Sequence, residues 1–329
     1  MTLEQALEKR ILILDGAMGT MIQQYNLTEE DYRGERFAHI KNLVKGNNDL
    51  LCLTQPKIIE TIHRQYLEAG ADLIGTNTFN ANSISMLDYD MVDLVKEINV
   101  EAVKIARKVT DEFTQKTPDK PRFVLGALGP TNKTASISPN VNDPGFREVS
   151  FDDLALVYKE QAIALIEAGA DALIVETIFD TLNAKAAFYG IEDAFEETGK
   201  RIYLMASGTI TDKSGRTLSG QTTEAFLISL SHVNLLSIGL NCALGAKDLR
   251  EYIKELGVKS PFFVSVYPNA GLPNAFGGYD ETPEDMVKDI KPFLENGWIN
   301  ILGGCCGTTP SHIAAMAQMA KNFSPRKKQ

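Results

Sequence analysis

The chain has 329 residues, a net charge of −10 and 44% hydrophobic side chains, the composition of a globular protein with a substantial core. The acidic balance, with both signs interspersed, excludes a nucleic-acid partner, and no apolar run approaches the ~20 residues of a membrane span. Acidic residues precede the first apolar run in "MTLEQALEKRILILDG", against a secretory signal, and four cysteines are too few for a disulfide scaffold, so a reducing, cytoplasmic setting is expected.

In chain order, the first strand candidate is "ILILDG" (11–16), which ends on Asp15 and Gly16. Cys52 follows in the apolar run "DLLCLTQP" and reads as a small buried hydrophobe. The second candidate, "DLIGTN" (72–77), ends on Thr76 and Asn77, with Thr78 next. The third, "RFVLGALG" (122–129), runs into an irregular stretch, 129–150, rich in Pro, Asn, Ser and Thr. A loop longer than about 15 residues in a compact domain is functional or mobile. The fourth candidate, "ALIVET" (172–177), ends on Glu176 and Thr177, and the fifth is "IYLMASG" (202–208). The sixth, "LLSIGLNC" (235–242), ends on Asn241 and Cys242. The seventh, "FFVSVYP" (262–268), leads to Asn269, and the eighth, "NILGGCC" (300–306), ends on Cys305 and Cys306. The basic end 326–329 reads as a solvated tail or the start of a linker, with no interdomain linker inside 1–325.

Amphipathic stretches separate the strands. Ser150, Thr282 and Thr309 each place a capping hydroxyl before one, the last two with proline next. The phrases "EAGADLIGTNTF" (68–79), "EAGADALIVETIF" (167–179) and, more loosely, "ENGWINILGG" (295–304) echo one another as helix end, glycine and strand. Eight repeated βα units predict a single-domain α/β fold, a (β/α)8 TIM-type barrel. A doubly wound open sheet is the alternative, but "DGAMGT" does not match its Gly-x-Gly-x-x-Gly turn.

In such a barrel the active site lies at the C-terminal ends of the strands. Three of the four cysteines fall there, and the ends of strands six and eight are close enough to share an ion. Three thiolates with one vacant position describe a catalytic zinc site, and soft sulfur favours zinc over magnesium or calcium. Glycines on both sides of the Cys305–Cys306 pair let consecutive side chains bend toward one point. The structural alternative is three incidental core cysteines. A thiolate-rich zinc suits the binding of a further thiol, which loses its proton on coordination and becomes a nucleophile for a soft electrophile such as a methyl group. The histidines (His39, His63, His232, His312) and all lysines lie away from the strand ends, against a Schiff-base aldolase. Asp15 and Glu176 are the rim carboxylates and suit an amino-acid ammonium, although Asp15 also fits a turn-forming Asp-Gly pair.

Nine phrases carry a resemblance: "LDGAMGT", "GNNDLL", "EAGADLIGTNTF", "LGPTNKTASISP", "VETIFDTLNAKAA", "SGTITDKSGRTLSGQTTEAF", "GLNCALG", "PNAGLPNAFG" and "GGCCGTTPSHI". Over about residues 8–325 the chain resembles the homocysteine S-methyltransferase family, and within it the N-terminal homocysteine-binding domain of cobalamin-dependent methionine synthases. The resemblance implies zinc on Cys242, Cys305 and Cys306, with homocysteine sulfur as fourth ligand. It also implies substrate contacts from Asp15, Gly16, Thr76, Asn77, Glu176 and Asn269, the last at a position that approaches zinc in relatives without substrate. The implied donor is methylcobalamin, held by folate- and cobalamin-binding modules of the same enzyme or of separate subunits. No Asp-x-His-x-x-Gly corrinoid motif is present here. Methyltransferases using S-methylmethionine or betaine share "GLNC" and "GGCCG", and a non-catalytic zinc scaffold is a third reading.

Overall fold

The computed structural model describes residues 1–328. Eight parallel strands form one sheet: β1 (Leu12–Ile13), β2 (Leu73–Gly75), β3 (Phe123–Leu128), β4 (Ala172–Ile178), β5 (Tyr203–Gly208), β6 (Ser237–Gly245), β7 (Phe263–Asn269) and β8 (Ile301–Leu302). Each pairs with its sequence neighbour, and β8 pairs with β1. A parallel bridge between Leu14 and Leu73 joins β1 to β2 and completes the ring. Helices such as Pro56–Glu68, Val95–Lys116, Phe151–Ala168 and Thr181–Thr198 return the chain between strands. The fold is the (β/α)8 barrel predicted from the alternation, and the open sheet is excluded by its closure. Ser150, Thr282 and Thr309 cap their helices, each within a reciprocal capping box.

The internal echo has a structural meaning at the strand N-terminal ends. Asp72 accepts a hydrogen bond from Ile13 N–H (2.9 Å), Asp171 from Val124 N–H (2.7 Å) and Asn300 from Val264 N–H (3.0 Å). Each echo therefore braces one strand to the strand before it, after a glycine in the left-handed region (Gly70, Gly169, Gly297) has ended the helix. Arg10 and Lys120 neutralise the fully buried Asp72.

Two apolar layers follow from this topology. One lies between strands and helices; the other fills the barrel with Leu12, Leu14, Leu125, Ile174, Met205 and their neighbours. The helix Leu3–Lys9 closes the lower end, placing Leu3, Ala6 and Leu7 in the interior layer. Full burial of a leucine contributes roughly 2 kcal/mol, so this short plug is a stabilising element. Arg326 corrects one expectation: it is not in a solvated tail. It is 5% exposed and donates to the carbonyls of Gly257, Ser260 and Phe262. Cys52 is buried as expected. Among the described residues no helix is long and apolar enough to cross a membrane.

Candidate active site

At the upper ends of the strands a cavity of about 480 Å³ opens. Asp15, Gly16, Thr76, Asn77, Glu176, Cys242, Cys305 and Cys306 all line it. Asn269 does not. It lies at the end of β7, 2% exposed, with its Oδ1 unpartnered among the described residues.

The local backbone explains how the thiols converge. β6 shifts register between Asn241 and Gly245, where Cys242 (φ 60°) and Ala243 (φ 56°) occupy the left-handed region. β4 has a matching irregularity between Val175 and Ile178, with Thr177 at φ 56°. A β-branched residue in that region is strained, and such strain persists only where surroundings hold it. The bulges swing Cys242 and Glu176 off the alternating pattern of their strands. After β8, Cys305 N–H bonds to Pro268 O (2.8 Å), Ala270 N–H to Cys306 O (2.9 Å) and Gly307 N–H to Thr20 Oγ1 (3.0 Å). Thr308 Oγ1 donates to Cys305 O at 2.7 Å. This bonding accounts for the tight turn, and Gly307 at φ 81° permits it; a Cβ there would also strike the Tyr279 ring.

The three sulfurs lie within 4.8 Å of one another, with Cys242 Sγ and Cys306 Sγ 3.9 Å apart. Tetrahedral zinc with Zn–S bonds of about 2.3 Å separates its sulfurs by ~3.8 Å. The donor set and its spacing therefore fit a zinc ion. The thiols share protons unevenly: hydrogen bonds from Cys242 and Cys305 hold Cys306 well below the usual thiol value, while the contacts of Cys305 with Cys242 and Cys306 push Cys305 up. Three thiolates together require a cation.

The carboxylates sit on the same cavity. Asp15 is 9% exposed and accepts from Gly75 N–H at 3.0 Å. Burial pushes its pKa well above the carboxylate range, and the Glu176 charge adds to this. Glu176 borders the cavity with its carboxyl enclosed; burial raises its pKa to about 7, against the pull of a hydrogen bond from Tyr267 Oη (3.1 Å). Neither carboxylate has a cationic side chain within ion-pair distance among the described residues. Thr76 and Asn77 have structural duties: Thr76 Oγ1 accepts from Ala127 N–H (3.0 Å), and Asn77 Nδ2 donates to Asn48 O (2.7 Å).

Sequence reasoning gave no role to three groups. Tyr267 holds Glu176. Asn241, fully buried, latches the two bulges: its Oδ1 accepts from Thr177 N–H (3.1 Å) and Ser207 Oγ (2.6 Å), and its Nδ2 donates to Thr177 Oγ1 (2.9 Å). Both stand at strand ends in the sequence reading, but position alone does not show that their side chains reach across to other strands. Asp49, buried on the cavity wall, lies outside any strand.

A closed parallel barrel carrying a three-cysteine, metal-competent rim beside two buried carboxylates defines a class of thiol-handling barrel proteins. Residues 12–320 match the family model described as "Homocysteine S-methyltransferase", and the chain belongs to that family. The metallated homocysteine methyltransferase MmuM from Escherichia coli is similar in fold: 22% identity, TM-score 0.73, covering 94% of this chain and 96% of that one. A B12-independent methionine synthase from Shewanella sp. W3-18-1, in complex with selenomethionine, is more distant: 15% identity, TM-score 0.51, covering 95% and 97%.

Proposed function

We propose that this chain activates homocysteine as a thiolate for methyl transfer, yielding methionine, with zinc on Cys242, Cys305 and Cys306. The observation that carries the reading is the union, in one cavity, of a zinc-spaced thiol triad and two buried carboxylates that lack a cation. Zinc on three thiolates supplies a fourth position at which a thiol loses its proton near neutral pH.

The chain's own residues do the rest. Asp15 and Glu176 take the substrate ammonium, the positive charge that their shared, buried setting lacks. Tyr267 and the Gly75 N–H hold the two carboxylates in place. Pairing at the ammonium would fix the amino acid with its sulfur toward the metal position held by the thiol triad, and in-line methyl transfer needs little beyond that alignment. The proposed donor is methylcobalamin, charged from 5-methyltetrahydrofolate and carried by other modules. Sequence phrases outside the shared "GLNC" and "GGCCG" elements support this choice.

The test is incubation of zinc-loaded protein with homocysteine and, separately, methylcobalamin, S-methylmethionine or betaine, scoring methionine. Excess methylcobalamin is expected to give slow turnover, because the proximity supplied by a tethered carrier is missing. No cobalamin should survive gel filtration with the chain, whose barrel interior is filled by side chains. Fast turnover with S-methylmethionine or betaine, and none with methylcobalamin, would move the protein to the other donor class.

A further inference from the structure

Homocysteine leaves one side of the cavity unexplained. A volume of about 480 Å³ lies in the range filled by drug-sized ligands, more than one small amino acid needs. Beyond the thiols and the Asp15–Glu176 pair, the lining includes Met18, Phe79 and Tyr279 and a polar group of Gln23, Asn48, Asp49 and Asn80. Asp49 is 3% exposed. Its carboxylate meets only backbone N–H groups, that of Asn80 (3.1 Å) and its own, with no cation or side-chain donor among the described residues. Burial pushes its pKa up to about 7. A buried polar group with unused capacity calls for an explanation. Toward the mouth, Gln23 and Asn80 are exposed, and their side-chain amides bond to no other described residue. Unused amides at the mouth therefore share one cavity wall with a buried carboxylate.

Resting on the homocysteine reading, we propose that Asp49, with the amides of Gln23 and Asn80, is a methyl-donor subsite. It takes an N–H-bearing group of the donor and so aligns the donor's methyl with the bound sulfur. Two sources carry that chemistry: the peripheral primary amides of a corrinoid and the ammonium of a sulfonium amino acid. Asp49 is here a positioning residue; its charge and its place on the wall suit it to N–H groups and not to a carboxylate end.

Asp49→Asn keeps an acceptor for Asn80 N–H and removes the charge. Zinc content and homocysteine Kd are measured on the variant by metal analysis and calorimetry. Donor KM is measured with methylcobalamin and with S-methylmethionine, and methylcobalamin retention by ultrafiltration. Loss of a charged hydrogen bond is expected to raise donor KM roughly tenfold or more, and to weaken donor retention, with zinc content and homocysteine Kd unchanged. A rise confined to methylcobalamin assigns the subsite to corrinoid amides, and one confined to S-methylmethionine assigns it to the ammonium. Unchanged KM for both donors overturns the proposal. So does a tenfold rise in homocysteine Kd, which would place Asp49 in the homocysteine subsite. Should Asp49→Asn not fold, Gln23→Ala at the exposed mouth replaces it: a severalfold rise in donor KM supports the subsite, and none with either donor overturns it. Failure of the homocysteine reading itself would look different, because wild-type protein would then bind no homocysteine at the metal.

Discussion

Replacing Glu176 with glutamine keeps its shape and removes its charge, which separates two effects of one carboxylate. In the free protein, burial raises the Glu176 pKa from 4.5 to about 7. A carboxyl whose folded pKa exceeds its unfolded value binds its proton more tightly when folded, so stability falls as pH rises from about 4.5 to about 7 and stays lowered above. The full shift corresponds to ~3 kcal/mol, and solvent in the cavity reduces this to about 1–2 kcal/mol. Glu176→Gln should therefore be more stable than wild type at pH 8, and the difference should vanish near pH 4.5. With substrate the sign reverses. Loss of a charged hydrogen bond to the ammonium should weaken homocysteine binding by ~1.5–3 kcal/mol, a factor of roughly 10–150. Thermal unfolding at both pH values, with calorimetric titration of homocysteine and metal analysis, reads all three quantities. Zinc content should not change. Unaltered homocysteine affinity, in a variant that is folded and zinc-loaded, would refute the role given to Glu176.

Three further outcomes follow from the same geometry. Cys242→Ser exchanges a soft thiolate for a hard, protonated hydroxyl, so zinc affinity measured by chelator competition should fall steeply; full occupancy would reassign the thiol. Homocysteine binding at pH 7 should release at least one proton, that of the thiol, with a further release from Asp15 and Glu176, whose pKa values burial raises in the free protein. Titration in buffers of differing ionisation enthalpy counts these protons; Glu176→Gln should lower the number, and no release would mean that the thiol binds away from metal. Asn241→Ala leaves Thr177 N–H and Ser207 without their acceptor and frees both bulges, so it should lower zinc and homocysteine affinity together. An effect on stability alone would make Asn241 a packing residue.

The barrel was legible because each strand is a short apolar run that ends in a change of residue type, and several helices begin at a capping hydroxyl, as at Ser150 and Thr282. The thiol triad was legible because parallel strands bring their C-terminal ends to one rim, whatever the distance between Cys242 and Cys305 in sequence. The bulges were not. Left-handed backbone is announced by glycine, and Cys242, Ala243 and Thr177 occupy it without one. What holds them there is the Asn241 side chain, whose partners come from β4 and β5. The plug helix Leu3–Lys9 carries a reciprocal cap between Thr2 and Gln5, a signal present but short. Arg326 was hidden for another reason. A run of basic residues reads as solvated, and the carbonyls that hold this one come from the segment 257–262, which only the folded chain brings to it. Asp49 belongs to the crossover after β1, where strand-end reasoning does not look.

Zinc-edge X-ray absorption on the metal-loaded chain, without and with homocysteine, tests the central claim most directly. The account predicts three sulfurs at about 2.3 Å in the free protein, rising to four when homocysteine binds, with any lighter ligand displaced. A sulfur count that stays at three while calorimetry shows homocysteine bound would contradict it.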